Sequence, residues 1–279
     1  MVFADIKIGM ISVLYNPSED MVKSIFLNAR GADKLVIIDN SDFSNKKLID
    51  SFNSQSIDFV YIPNYRNAGL AKAINMGMQI ICSLKMDWCL IFDQDSKIAN
   101  NILREYKNVI EKNKTKKIGI IGPQHIYDNR KLLPIHGTKK KRWLMLSGNL
   151  INVNAYIAIG GFNEGFFLDG LDVDYDYRLI EHGYSIVQCL GAAIYHCPGK
   201  RKSISLGTRK LYYGVAEPFR YYHQARAGIY NGLMHSKKYG VFELGRKLFK
   251  IIFLFDEKRK YLKSFKSGIL DGIHWYYAK

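Results

Sequence analysis

The sequence predicts an α/β protein, a mostly parallel sheet flanked by helices with a helical C-terminal extension. Three observations carry this. Short apolar runs of strand length alternate with amphipathic stretches of helix length through the first 120 residues. Each apolar run ends in polar residues. The positive charge gathers at the far end, where residues 200–279 hold 18 Lys+Arg against 5 Asp+Glu, +13 of the chain's net +16.

The elements follow in order. "IKIGMISVL" (6–14) reads as a buried strand, and in "NPSEDMVKSIFLNARG" Pro17 and Ser18 open a helix that Gly31 closes. "DKLVIIDNS" is a second strand and "SIDFVYIP" a third. "NAGLAKAINMGMQIICSL" puts Leu70, Ile74, Met78 and Ile81 on one helix face. "DWCLIFD" is a fourth strand, a helix spans about 99–113, and "KKIGIIGP" is a fifth strand. Repeated β-α units of this kind imply a parallel sheet covered by helices on both sides. After 140 the order is less regular: "WLMLSGNLINV" as a strand, "NAYIAIGGF" as a short helix and turn, "LDVDYDYRLIEHGYS" as an acidic helix ended by Gly183, and "IVQCLGAAIYHCPG" as a strand. Beyond that the chain reads as helical and basic to its end. The expected division is one domain over 1–205 and a basic, aromatic helical extension over 206–279.

With 279 residues, 48% hydrophobic, 24% charged and six prolines, the chain is an ordered globular protein. Four cysteines without a CxxC pair read as reduced core thiols. No leader pattern and no apolar run of membrane-spanning length is found, so a cytoplasmic location is expected. The absence of GxxxxGK[ST] excludes a P-loop nucleotidase, and the glycines near 69–77 do not form GxGxxG.

In sheets of this class, ligands bind at the carboxyl ends of the strands. Those ends carry "YNP" (15–17), "DNSD" (39–42), "PNYRNAG" (63–69) and "DQDS" (93–96). Asp93 and Asp95 stand one residue apart after a buried strand. Like charges so close call for a cation, and hard oxygen ligands favour Mg²⁺ or Mn²⁺ on a phosphate. Standing alone, such a pair reads more readily as a loop with solvated aspartates than as a metal site.

Together "VLYNP", "IDNS", "NAGLAKAINMG", "DWCLIFDQDS", "SGNLINVNAYIAIGGFNEGFF", "LDVDYDYRLIEHGY" and "YHCPG" resemble, in order, the family 2 glycosyltransferases of GT-A fold, most closely the rhamnosyltransferase-like branch with its DQD motif. The resemblance covers about residues 6–200. It implies that Leu14, Tyr15, Asn16 and Asp39, with Asn40 nearby, hold the nucleotide base, and that Asn67, Gly69 and Asn75 contact ribose and diphosphate. Asp93 would face the ribose and Asp95 the metal, with Gln94 between them pointing away or toward the donor sugar. Ser147 and Gly148, with Trp143, would line the sugar and acceptor region, although Trp143 could equally be core. "LDVDYDYR" is similar to the family's EDxxLxxR, with Leu171 in place of Glu and Tyr175 in place of Leu. Asp172 would then be the general base, with Asp174 a rival, and Arg178 the donor-side arginine. His196 in "YHCPG" would complete the metal site, and Lys200, Arg201 and Lys202 could meet phosphates.

The implied reaction is inverting, metal-dependent transfer of a sugar from a nucleotide-sugar donor, with dTDP-β-L-rhamnose the first choice and a UDP-hexose the alternative. The implied acceptor is a saccharide, undecaprenyl-diphosphate-linked, for bacterial surface polysaccharide. A nucleotidyltransferase on the same fold is a second reading. The aromatic, basic extension would touch an anionic membrane at its inner face or serve as a packed helical addition. Nucleic acid is not an expected partner, and the oligomeric state is left open, a homodimer among the options.

Overall fold

The computed structural model describes residues 6–52, 57–126, 135–196, 201–206 and 209–278. Two compact units divide the chain, residues 1–165 with 175–197, and residues 166–174 with 198–279.

The first unit is built on β1 (Ile8–Leu14), β2 (Lys34–Asp39), β3 (Phe59–Pro63), β4 (Trp88–Asp93), β5 (Ser96–Ile98), β6 (Ile118–Ile126), β7 (Thr138–Lys141), β8 (Asn149–Asn152) and β9 (Ser185–His196). Its helices are α1 (Glu19–Asn28), α2 (Lys46–Ser51), α3 (Leu70–Ser83), α4 (Ile102–Lys112), α5 (Val153–Ala158) and α6 (Leu171–Glu181), whose first turn falls in the second unit. The strand order is β3-β2-β1-β4-β8-β6-β9-β5, with β7 also on β9. The pairings make β3, β2, β1, β4, β6 and β9 codirectional, while β5, β7 and β8 oppose them. The sheet is mostly parallel, as its buried, unalternating apolar strands require.

Both faces are covered because β1 sends alternate side chains to opposite sides. Ile8, Met10 and Leu14 enter the main core with Val22, Ile25 and Phe26 of α1 and Leu103 and Tyr106 of α4. The odd residues meet α3. A Cβ on Gly9 would lie 2.3 Å from Cδ1 of Ile81, so the missing side chain sets how closely α3 approaches β1.

Three differences from the sequence reading have plain causes. Only Asn149–Asn152 of "WLMLSGNLINV" is strand, because the preceding residues turn at Gly148, whose φ is +81°. β5 and β7 are short and polar ("SKI", "TKKK"), and pairing with β9 creates them, not their own pattern. The C-terminal part of the second unit starts with a hairpin, β10 (Arg201–Leu206) and β11 (Arg209–Gly214), before its helices; "SISL" of β10 alternates polar with apolar residues, as a strand does.

That unit continues with α7 (Pro218–Met234), α8 (Lys237–Leu254) and α9 (Lys258–Tyr277) around a core of Tyr221, Ala225, Ile251, Phe255, Tyr261 and Phe265. Tyr230 stacks on Trp275 at 3.8 Å, and the Arg226 guanidinium lies 4.2 Å from the same indole ring centre.

Only Gln94 and Asp95 join β4 to β5, although β8, β6 and β9 lie between them in the sheet. Four strand spacings come to about 19 Å, while three residues of chain reach about 11 Å. The β9-β5 side of the sheet therefore curls back to β4. At the seam the Ser147 hydroxyl accepts the Asp93 amide at 3.1 Å and donates to Ser96 Oγ at 3.1 Å.

Candidate active site

Register assembles the site edge. Leu14 pairs with Asp39, Val13 with Asp93, and Asp39 with Pro63, so the four polar strand ends fall side by side. Leu14 is buried and contributes its carbonyl, which accepts the Asn40 amide at 2.8 Å. Tyr15 is 48% exposed on the rim, and Asn16 turns the chain at φ +45°, its amide donating to Ser41 Oγ.

Asp39 is fully buried and its carboxylate is turned inward. It accepts from the Ser41 amide (3.0 Å), the Asn45 amide (3.1 Å), Asn45 Nδ2 (2.9 Å) and the Tyr61 hydroxyl (2.6 Å). Burial alone raises its pKa, and the bonds from Ser41, Tyr61 and Asn45 outweigh that and hold it below the ordinary carboxylate value. Tyr61 is pushed up to about 12, first by burial and then by Asp39. Asp39 thus shapes the 41–45 loop. Asn40, also buried, does the same for the next loop: its Oδ1 accepts from Asn64, and its Nδ2 donates to the Gly69 carbonyl at 3.2 Å and approaches Asn67 Oδ1 at 3.5 Å. Asn67 in turn accepts the Gly69 amide, and Gly69 caps α3 at φ +88°.

Asp93 closes β4, and Asp95 sits in the turn before β5. The residue between them has a definite task. Gln94 Oε1 accepts the Tyr15 amide at 2.9 Å and its Nε2 donates to the Tyr15 carbonyl at 3.1 Å, so the side chain imitates a strand and latches the turn to the end of β1. Ser147, 2% exposed, holds the turn from beneath through Asp93 and Ser96, and a Cβ on Gly148 would strike Pro123 at 2.7 Å.

Two residues expected on the donor side are engaged elsewhere in the first unit. Asn75 accepts from the Tyr156 hydroxyl and the Phe162 amide and donates to the Phe162 carbonyl and Glu164, tying α3 to the loop after α5. Arg178 donates to the Ile159 carbonyl at 3.0 Å and lies 5.7 Å from the Tyr175 ring centre.

The three aspartates of α6 differ. Asp174, 1% exposed, takes a 3.0 Å contact from His235 Nε2 within the second unit, and Asp176, also 1% exposed, accepts the Leu144 amide at 2.7 Å within the first. Asp172 stays half-buried in the first turn, its Oδ1 accepting the Val173 amide. Trp143 is 43% exposed rather than core.

β9 pairs His196 with Ser96 across the ladder, next to Asp95, while the His196 and Arg201 side chains and all of Lys200 lie outside the described residues. Lys202 pairs with Asp256 at 2.9 Å. No group of three or more His, Cys, Asp or Glu that could hold a metal occurs among the described residues. Asp93 and Asp95 still suit a hard cation that takes one or two carboxylates and completes its shell with water and substrate phosphate. A cavity of about 570 Å³ lies between α1, β5 and the start of α4, lined by Asp20, Lys23, Asn28, Arg30, Lys97 and Asn101 among others, and not by Asp93 or Asp95.

No family model matches the chain. Over 290 residues it is 23% identical to the dTDP-rhamnosyl transferase RfbF of Shigella flexneri, covering 94% of each. It is 22% identical to the low-salt glycan biosynthesis hexosyltransferase Agl10 of Haloferax volcanii, covering 95% of this chain and 91% of the relative. Among solved structures, S. aureus TarS 1-349 in complex with UDP-GlcNAc matches at TM-score 0.60 and 13% identity over 98% of this chain and 83% of that one. The chain is thus similar to the family 2 glycosyltransferases, and these likenesses support a glycosyltransferase of that kind. Its fold is GT-A. A second GT-A match, GalNAc-T7 solved with UDP, GalNAc and Mn²⁺, has TM-score 0.60 and 12% identity over 96% of this chain, which spans only 57% of that longer one.

Sequence reasoning missed Gln94's latch, Tyr61 and Asn45 beneath Asp39, and the Asp174–His235 pair. Only Asn45 left a trace, as part of the turn-rich "DNSDFSN".

Proposed function

We propose that the protein is an inverting, metal-dependent glycosyltransferase that moves L-rhamnose from dTDP-β-L-rhamnose to a hydroxyl of a lipid-linked saccharide. The observation that carries this is the Asp93-Gln94-Asp95 turn, latched by Gln94 to Tyr15 and seated on Ser147 at the edge where Asp39 and Asn40 shape the neighbouring loops. The relative from Shigella named for dTDP-rhamnosyl transfer supports the choice of donor. A UDP-hexose is the alternative, favoured by the match to a chain solved with UDP-GlcNAc.

In this reading the loops after β1, β2 and β3 receive the nucleotide, and the fixed turn presents Asp93 and Asp95 to the diphosphate. Asp95, with Asp93 beside it, would hold Mg²⁺ or Mn²⁺, which when bound neutralises charge on the departing diphosphate. Asp172 takes the proton of the acceptor hydroxyl as its oxygen bonds to the anomeric carbon and the carbon–oxygen bond to the nucleoside diphosphate breaks. Asp172 is preferred to Asp174 and Asp176 because it alone of the three is not deeply buried against a neighbour. Rate then comes from orientation and proton transfer.

The test is a panel of nucleotide sugars with each metal, scored by release of nucleoside diphosphate. Asp95→Ala and Asp172→Asn are expected to lower turnover about 10³-fold with unfolding temperature unchanged. Turnover near wild type in both variants rejects the reading. Release of pyrophosphate would show nucleotidyl transfer instead.

A further inference from the structure

The core of the second unit lies on one side of α8, where Leu244, Ile251 and Leu254 pack against the aromatic cluster. The other side is apolar too. Val241, Phe242, Phe249, Ile252 and Phe253 are 75, 67, 57, 40 and 64% exposed. At 3.6 residues per turn they fall on one strip of the helix. Phe249 and Phe253 lie against each other with ring centres 4.7 Å apart, and the space above Gly245 between them and Val241 is open. Lys238 lies on the same strip, and Arg246 and Lys250 flank it by helical spacing. The helix carries five Lys+Arg and a single acid, Glu243, which pairs with Arg246 at 2.8 Å.

We propose that this face of α8 docks on an anionic lipid surface, the helix lying in the plane of the headgroups with its phenylalanines in the acyl boundary. The proposal rests on the lipid-linked acceptor of the functional reading and names the part of the chain that reaches it. Two properties select the occupant. Exposed Val, Ile and Phe need an apolar partner, and Lys238 on the strip with Lys250 beside it favours an anionic one; an acidic bilayer supplies both. A second copy would bring one basic helix against another with its charges desolvated. Nucleic acid would answer the charge but offers no apolar layer to Val241 and Ile252. No helix among the described residues is long and apolar enough to cross a membrane, so the contact is superficial.

The experiment is co-sedimentation of the full chain with vesicles of phosphatidylglycerol mixed with phosphatidylcholine, and of phosphatidylcholine alone. The wild type is expected to bind the anionic vesicles selectively, and Phe249→Ser with Phe253→Ser to weaken binding at least about tenfold. Val241→Ser with Phe242→Ser, at the other end of the strip, should do likewise, and circular dichroism should show both folded. Equal binding by wild type and both variants overturns the proposal, as does binding to neither vesicle. A dimer in sedimentation velocity that these substitutions dissociate would also overturn it and make the strip a self-interface. Nucleoside diphosphate release, measured with the same proteins in detergent, separates the two readings. Turnover without vesicle binding rejects only the docking, and vesicle binding without turnover rejects only the enzyme.

Discussion

The two aspartates at the strand edge owe their position to residues that carry no charge. Gln94 supplies both a donor and an acceptor to the Tyr15 backbone, and a side chain that keeps its length but loses the donor tests that. Gln94→Glu should lower kcat/KM for the donor tenfold or more, since it loses one bond and places a third carboxylate beside two others; initial rates at varied donor concentration check this. Tyr61→Phe removes the 2.6 Å bond to Asp39 and should cost about 1–2 kcal/mol at neutral pH. Asp39's folded pKa is lowered, so its contribution is present above the unfolded value near 3.9 and is lost as pH falls through the folded value. The stability gap between wild type and Tyr61→Phe, measured by urea unfolding, should therefore close as pH is brought below about 4. The charged and amide residues at strand ends were legible in the sequence because apolar runs point straight at them. The roles of Gln94, Asn75 and Tyr61 were not, because each bonds a partner fixed only by three-dimensional register.

At the scale of elements, strands and helices with strong periodicity could be read from the chain, and edge pieces borrowed from a neighbour could not. "TKKK" becomes β7 only because β9 offers it a free ladder. Close helix contacts were equally silent. A Cβ on Gly272 would lie 2.3 Å from Ile229 Cγ2 and 2.6 Å from the Arg226 carbonyl, so α9 meets α7 backbone to backbone. Gly272→Val should destabilise the second unit by about 1–3 kcal/mol, seen as a lower unfolding temperature. On α8, burial is the first cause that lowers Lys247 to about 8, with Arg246 adding to it. A lysine whose folded pKa is depressed costs stability while charged, so that cost is relieved as pH rises from about 8 toward the unfolded value near 10.4. Lys247→Met should flatten the rise in unfolding temperature across that window.

For the whole molecule, two units with separate cores predict two transitions in scanning calorimetry. A nucleoside diphosphate with Mn²⁺ should raise the transition of the unit that carries Asp95, by about 2.7 kcal/mol at a hundredfold excess over its dissociation constant, and leave the other in place. The α/β class was legible from alternation of strand and helix. The strand order was not, since nothing in "NLIN" announces a strand inserted antiparallel between β4 and β6. That insertion, and the curl that returns β5 to β4, has one further result. Surface loops ordinarily diversify by gaining or losing residues. The turn at 94–95 is anchored at both ends in one sheet, and a single added residue would shift β5 against His196 and reverse the faces of Lys97 and Ile98. Length variation is closed to it. New donor preferences in descendants of this chain must arise by exchanging side chains in place, or by changes in the loops after β1, β2 and β3.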